Sequence, residues 1–238
     1  MEKYRLTEET INVNGIILYR IEALKDFGDV KEGNKGGFVE NDRNLSHDGN
    51  CWVYSNAKVF GNAEVWGNAK VFGNAEVWGN ARVYGNAEVY DNAEVYGNAK
   101  VFENANVFEN ANVFGNAKVF GNAEVWGNAE VWGNAEVYDN AKVYGNAKVC
   151  GYPKVFGNAK VCGYALIQDM SDYIVFKNWW SSGRFFTWTK SNNMWKVGCF
   201  YGSGRELIEK AYKDSEKSGV EYERVVNYVE SILTNKKK

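Results

Sequence analysis

Between Gly49 and Gln168 apolar and polar positions alternate in a strict six-residue phrase: two turn residues, Ala, a polar residue, Val and an aromatic. Gly61-Asn62-Ala63-Glu64-Val65-Trp66 is a typical copy, and twenty copies follow one another with no insertion or deletion. Ala and Val lie two apart, so in a strand they share one face, while the polar residue and the aromatic share the other. A short strict period means that each unit packs on copies of itself, which predicts a solenoid of stacked coils. Valine fills the inward position from Val53 to Val161 and Ile167 closes the series, a β-branched interior suited to strands. Helix is excluded, because Gly-Asn recurring in every hexad would destabilise it each time.

The turn pair and the polar position refine this reading. Ser55, Asp91, Glu103, Glu109 and Asp139 replace Gly at the first turn position, and Glu tolerates positive φ poorly. The Asn that follows is therefore the expected left-handed residue, with Asn-to-Ala costing more than Gly-to-Ala. Stacked Asn side chains are expected to satisfy one another along the corner; Tyr152 and Tyr164 are the exceptions. Charge then sets the number of hexads per coil. With three, Lys58 meets Glu76, Glu64 meets Arg82 and Glu124 meets Lys142, giving seven opposite and four like pairs over the repeat. With two, Lys58 meets Lys70 and Glu64 meets Glu76, giving five opposite and seven like pairs. Like charges in register are unfavourable, so the expectation is a three-sided prism of 18 residues per coil, six to seven coils and a rod of roughly 30 Å.

Residues 1–48 and 169–238 do not follow the period and are expected to be an N-terminal β-hairpin cap and a C-terminal α+β module around the solenoid of 49–168. In the cap, Thr10–Val13 and Ile16–Tyr19 flank Asn14-Gly15, the pair preferred in a two-residue type I′ turn. The cap would close the solenoid end and cover its strand edges. In the C-terminal module, 173–176, 184–189 and 194–200 read as short strands, the last two joined at Ser191-Asn192-Asn193. Ser203-x-x-Glu206 is a capping box opening a helix through about Lys217; Ser218-Gly219 is expected to stop it before a second helix over 220–233 with a Val225, Val226, Val229, Ile232, Leu233 stripe.

The phrase Val-x-Gly-Asn-Ala-x resembles the hexapeptide repeat of left-handed parallel β-helix proteins, whose members include acyltransferases and γ-class carbonic anhydrases. The leader, with Ile21-Glu22-Ala23-Leu24-Lys25-Asp26-Phe27-Gly28-Asp29-Val30, Gly36-Gly37-Phe38-Val39-Glu40 and Asn44 to Val53, is similar to that of uncharacterised hexapeptide-repeat proteins of bacteriophages, prophages and enteric bacteria. The resemblance covers about residues 1–168 and implies the left hand of the helix. Such proteins are often labelled transferases from the repeat, which says little about activity.

Chemistry narrows the reading. An acyltransferase of this kind uses a histidine base and a loop extruded from the coil, and a γ-class anhydrase needs three histidines around zinc. This chain has one, His47, placed six residues before Val53 and so expected to pack inward in an imperfect first coil, and its repeat extrudes no loop. No catalytic residue, metal site or cofactor is expected; acyl transfer stands third among the functional readings. The 28 Lys and Arg against 30 Asp and Glu disfavour a nucleic-acid partner. The start lacks the apolar run of a signal peptide and no stretch is long enough to span a membrane. Cys51, Cys150, Cys162 and Cys199 show no CxxC pairing, which fits a reducing, cytoplasmic setting; three-sided winding puts Cys150 and Cys162 on different faces, against a disulfide. Lys236-Lys237-Lys238 is a solvated tail.

The outward aromatics are the largest feature. They are expected to stack coil on coil into three ladders, shielding the backbone, and also to form an interaction surface in which Trp66, Trp78, Trp126, Trp132, Tyr84 and Tyr138 are candidate binding residues. In the C-terminal module, Trp179, Trp180, Arg184, Trp188 and Trp195 serve either as core or as a partner-contact patch; adjacent Trp179 and Trp180 should face opposite ways, leaving one exposed. The leading expectation is a non-enzymatic phage-type solenoid that binds a host or viral macromolecule, with inhibition of a bacterial defence system as one use. The alternative is a structural or assembly role in which solenoids trimerise or join end to end.

Overall fold

Each Ala from Ala57 to Ala165 and each Val from Val53 to Val161 is at most 1% exposed, so the inner row of every coil is filled as the two-residue spacing requires. The computed structural model describes residues 2–235. One two-residue strand per hexad runs from Trp52–Val53 to Leu166–Ile167. Each pairs in parallel with the strand 18 residues on, as Lys58 with Glu76 and Glu88 with Asn106. Three parallel sheets result, a solenoid of about seven turns in which three hexads make a coil. Six of the seven expected opposite pairs close, among them Lys58–Glu76, Arg82–Glu64 and Lys142–Glu124 at 2.6, 3.4 and 2.8 Å, while Lys70 pairs with Asp29 in place of Glu88.

At the corner, the left-handed residue is the first turn position and not the Asn. Gly61 has φ 68°, and Ser55, Asp91, Glu103, Glu109 and Asp139 share the conformation with φ between 53° and 60°. Three of the four acidic residues accept a bond across coils there: Glu103 Oε2 accepts from Gly121 N at 2.9 Å, Asp139 Oδ2 from Gly157 N at 3.1 Å and Asp91 Oδ2 from Glu109 N at 3.4 Å. Asn occupies the next position for its side chain. Asn62 Nδ2 donates to Asn80 Oδ1 at 3.1 Å and Asn86 to Asn104 at 3.0 Å, ladders that run along the corners as expected.

Strands β1 (Tyr4–Val13) and β2 (Ile16–Ala23) form the N-terminal hairpin through Asn14 (φ 52°) and Gly15 (φ 90°). Strand β3 (Lys35–Val39) lies antiparallel to β2 and parallel to Lys58–Val59, so the hairpin extends one solenoid sheet. The first coil is longer than the rest. Val39 faces Val59 and Leu45 bridges Val65, each 20 positions apart, whereas Trp52 faces Lys70 at the regular 18. Two extra residues thus lie between Leu45 and Trp52. Leu45, fully buried, takes the inward place opposite Val65, and His47 is displaced from the inward position expected of it.

The described residues up to 170 form one compact unit and those from 171 on a second. The second is a four-stranded antiparallel meander of Tyr173–Lys177, Phe185–Thr189, Met194–Val197 and Phe200–Gly202, followed by α1 (Gly204–Asp214) and α2 (Glu216–Asn235). The strand expected over 194–200 is broken by Gly198 at φ 55°. The capping box forms, with Glu206 Oε2 accepting from Ser203 N at 2.7 Å. Ser215, not Ser218-Gly219, ends α1; Gly219 lies inside α2, where an added Cβ would strike the Tyr212 ring. Its missing side chain permits the close crossing of the two helices. Phe186, Trp188, Trp195 and Val197 of the sheet pack on Leu207, Val226 and Val229. The Lys236–Lys238 tail lies outside the described residues.

Candidate functional site

The outward rings form three continuous ladders. Trp66 stacks on Tyr84 and Trp78 on Tyr96 with centroids 4.3 Å apart. Trp126 stacks on Tyr144 at 4.4 Å, Phe114 on Trp132 at 5.6 Å and Phe120 on Tyr138 at 4.9 Å. The stacked rings shield one another's faces, and apart from buried Phe60 and exposed Phe156 the members are half-buried. Stacking of this kind contributes about 0.5–1.5 kcal/mol per pair beyond area burial. Burial holds the hydroxyls of Tyr84, Tyr90 and Tyr96 above the ordinary tyrosine range, so these rungs stay uncharged at neutral pH. Beside Trp126 and Trp132 the flanking charges are paired: Lys142 Nζ sits 5.7 Å from the Trp126 ring and 2.8 Å from Glu124, and Lys148 sits 5.9 Å from Trp132 and 3.0 Å from Glu130.

Of the C-terminal candidates, Trp188 and Trp195 are 1% and 2% exposed. A four-stranded sheet under two helices needs large side chains for its core, and both rings are spent there, so neither belongs to a contact surface. Trp188 Nε1 donates to Asn193 Oδ1 at 2.9 Å, fastening the hairpin. Trp179 is 80% exposed, while Trp180 turns in against Phe186 and Tyr222. One tryptophan is out and one in, as expected, although a turn and not a strand produces it. Asn178 Oδ1 accepts from the amides of Trp180 and Ser181 at 3.1 and 2.9 Å, and Asn178 N donates to Arg184 O at 2.7 Å. This loop holds Trp179 outward. Arg184 is exposed and lines a cavity of about 390 Å3 with Cys199, Lys210, Asp214 and Tyr222, among others. Cys199 and Lys210 give no sign of this in the sequence, because a turn between strands and a helix bring them together only in the fold. Tyr152 and Tyr164, exceptions to the Asn corner, are 78% and 80% exposed.

His47 is packed in the cap. Its Nδ1 accepts from Lys3 N at 3.1 Å and its ring stacks on Tyr4 at 4.3 Å. Cys150 and Cys162 follow strands of two different sheets. Among the described residues no three His, Cys, Asp or Glu side chains gather as metal ligands, and no helix is long and apolar enough to cross a membrane.

No protein-family profile matches the chain. Over 62 residues it is 39% identical to a protein of Escherichia coli (strain K12) named uncharacterized acetyltransferase YdcK, a stretch covering 23% of this chain and 19% of that protein. Together with the parallel solenoid, that partial likeness fits a hexapeptide-repeat protein.

Proposed function

We propose that the chain is a non-enzymatic binding protein of phage type, whose solenoid displays aromatic ladders to a host or viral macromolecule, with inhibition of a bacterial defence system as one use. The observation that carries this is the unbroken, uncharged ladder of stacked rings: apolar rows of Trp, Tyr and Phe on an outer surface are the composition of an interface, and mixed-sign charge pairs beside them favour protein over nucleic acid. Trp179 and Arg184, an exposed aromatic and an exposed guanidinium of the C-terminal module, are the second candidate contact surface. The test is affinity purification of tagged chain from phage-infected cells with the mass of the complex measured. A partner recovered in fixed ratio, and lost with Trp179→Ala plus Arg184→Ala or with Trp126→Lys, supports the reading; filaments without a partner, or incorporation into virions, sink it.

Acyl transfer, third among the readings of the sequence behind a structural or assembly role, is favoured by the likeness to a protein named an acetyltransferase. Against it, the single histidine accepts a backbone hydrogen bond on Nδ1 and stacks on Tyr4, which suits a packed capping residue better than a base. Uptake of labelled acetyl-coenzyme A by the purified chain would favour transfer.

A further inference from the structure

One ladder differs from the others at its first step. From Phe60–Trp78 to Tyr138–Phe156 the paired ring planes lie within 10° of parallel. Tyr54 stands at 85° to Phe72, with centroids 6.4 Å apart. The cause lies in the N-terminal loop. Phe27 and Val30 exchange backbone hydrogen bonds of 3.0 and 2.8 Å around Gly28, and Phe27 packs edge-on against Trp52 at 5.3 Å. This turn holds Asp29 against the solenoid. Its carboxylate accepts from Tyr54 Oη at 2.6 Å and pairs with Lys70 Nζ at 3.1 Å.

Two consequences follow. The tyrosine ring is turned out of the stack, and burial together with Asp29 holds its hydroxyl well above the ordinary range, so it remains a donor. Lys70 is also drawn from Glu88, the residue in register with it, whereas Lys58 keeps its register partner Glu76 at 2.6 Å. Glu88 makes no ion pair among the described residues. Between the perpendicular rings lies a recess of about 290 Å3, lined by Asp29, Tyr54, Ser55, Lys70, Phe72 and Glu88. Two carboxylates face one ammonium there, which itself lies 5.8 Å from the Tyr54 ring centroid, leaving one uncompensated negative charge beside the Phe72 wall.

Aromatic faces attract cations, and a planar guanidinium can lie on a ring while its edge gives two parallel hydrogen bonds to a carboxylate. We infer that this recess binds a guanidinium group, its plane laid in the Tyr54–Phe72 corner and its edge donating to Glu88. An anion is repelled by the net charge. A compact ammonium meets the charge of Lys70 without the compensating planar contact. The volume leaves room for an alkyl stem, so the group can come from an arginine side chain of a partner protein or from a free guanidine compound. The site does not depend on the ladders binding a macromolecule.

The full chain is titrated with acetyl-argininamide and followed by NMR at the backbone amides of Tyr54, Ser55 and Lys70. Saturable shifts are expected at these amides, with acetyl-lysinamide binding at least about fivefold more weakly. Glu88→Gln removes the uncompensated charge and should weaken binding about tenfold or more. Asp29→Ala releases Tyr54 to stack on Phe72 and should close the recess, while Glu94→Gln, on another face, serves as the control and should bind as the parent does. Methylguanidinium and an acetylated Gly-Gly-Arg-Gly-Gly amide separate the sources: tighter binding of the peptide supports the site and assigns it to a protein arginine, and equal binding supports the site and assigns it to a small molecule. Absence of saturable shifts, equal affinity in Glu88→Gln, or equal affinity for the lysine derivative overturns the inference.

Discussion

The side-chain amide of Asn98 donates to Asn116 Oδ1 one coil on at 3.0 Å, and Asn98 Oδ1 accepts from Asn80 one coil back at the same distance. Each interior corner Asn thus links three coils. Asn98→Ala removes both bonds, and at about 0.5–1 kcal/mol each for groups near solvent the loss should be about 1–2 kcal/mol, read as a lower urea midpoint at unchanged m-value.

Glu103 holds a left-handed backbone (φ 60°) and offsets its strain with the bond to Gly121 N. Glu103→Ala keeps the strain and loses the bond, and should cost about 1–2 kcal/mol; Glu103→Gly loses the bond but also the strain, and should fall within about 0.5 kcal/mol of the parent. Thermal unfolding of the two variants separates the two contributions. Equal losses would mean that the left-handed backbone stores no strain there, and no loss in Glu103→Ala would mean that the carboxylate contributes nothing at the corner.

Glu136 lies between Lys118 and Lys154, at 3.0 and 3.4 Å. The hydrogen bond from Lys118, then its charge and the contact with Lys154, hold the carboxyl below the ordinary range despite partial burial. A carboxyl with a lowered folded value stabilises above its unfolded value of about 4.3, and that stabilisation is lost as pH falls through the folded value. The parent should therefore exceed Glu136→Gln in stability at pH 7, and urea midpoints of the two should converge on acidification below about pH 4.

Phe102 is stacked on both sides, 4.9 Å from Tyr84 and 4.8 Å from Phe120; Phe156 ends the same ladder with Tyr138 at 5.4 Å and is 40% exposed. Phe102→Ala should cost about 2–3 kcal/mol and Phe156→Ala about half as much, measured by calorimetry.

Trp195→Ala opens a hole in the C-terminal core and should cost about 3–5 kcal/mol. Trp179→Ala touches an exposed ring and should stay within about 0.5 kcal/mol. Near-UV circular dichroism through unfolding distinguishes them, and a large loss from Trp179→Ala would show that this ring is structural.

The period made the solenoid, its inward rows and its three-hexad coil readable, because each of the twenty copies repeats the same physical statement. The Asn14-Gly15 turn and the Ser203 capping box were readable for a different reason: both are local, and their chemistry lies within four residues. What failed was non-local. Glu103 looked unfit for the left-handed place because its bond to Gly121 spans a coil. His47 reads as an inward residue because the two extra residues before Trp52 leave no mark on a pattern that begins only at Gly49. Trp188 and Trp195 read either as core or as surface, because the residues that close over them, Leu207, Val226 and Val229, lie on helices further along the chain. The recess at Tyr54 depends on Asp29, 25 residues away.

A structure that repeats itself every coil offers a partner many equivalent addresses, and a partner that read only the repeat could slide along it. The turned ring of Tyr54 and the clasp of Asp29 break that equivalence at one end. They act as the zero mark on a ruler: a ligand anchored there would fix its position on every later graduation.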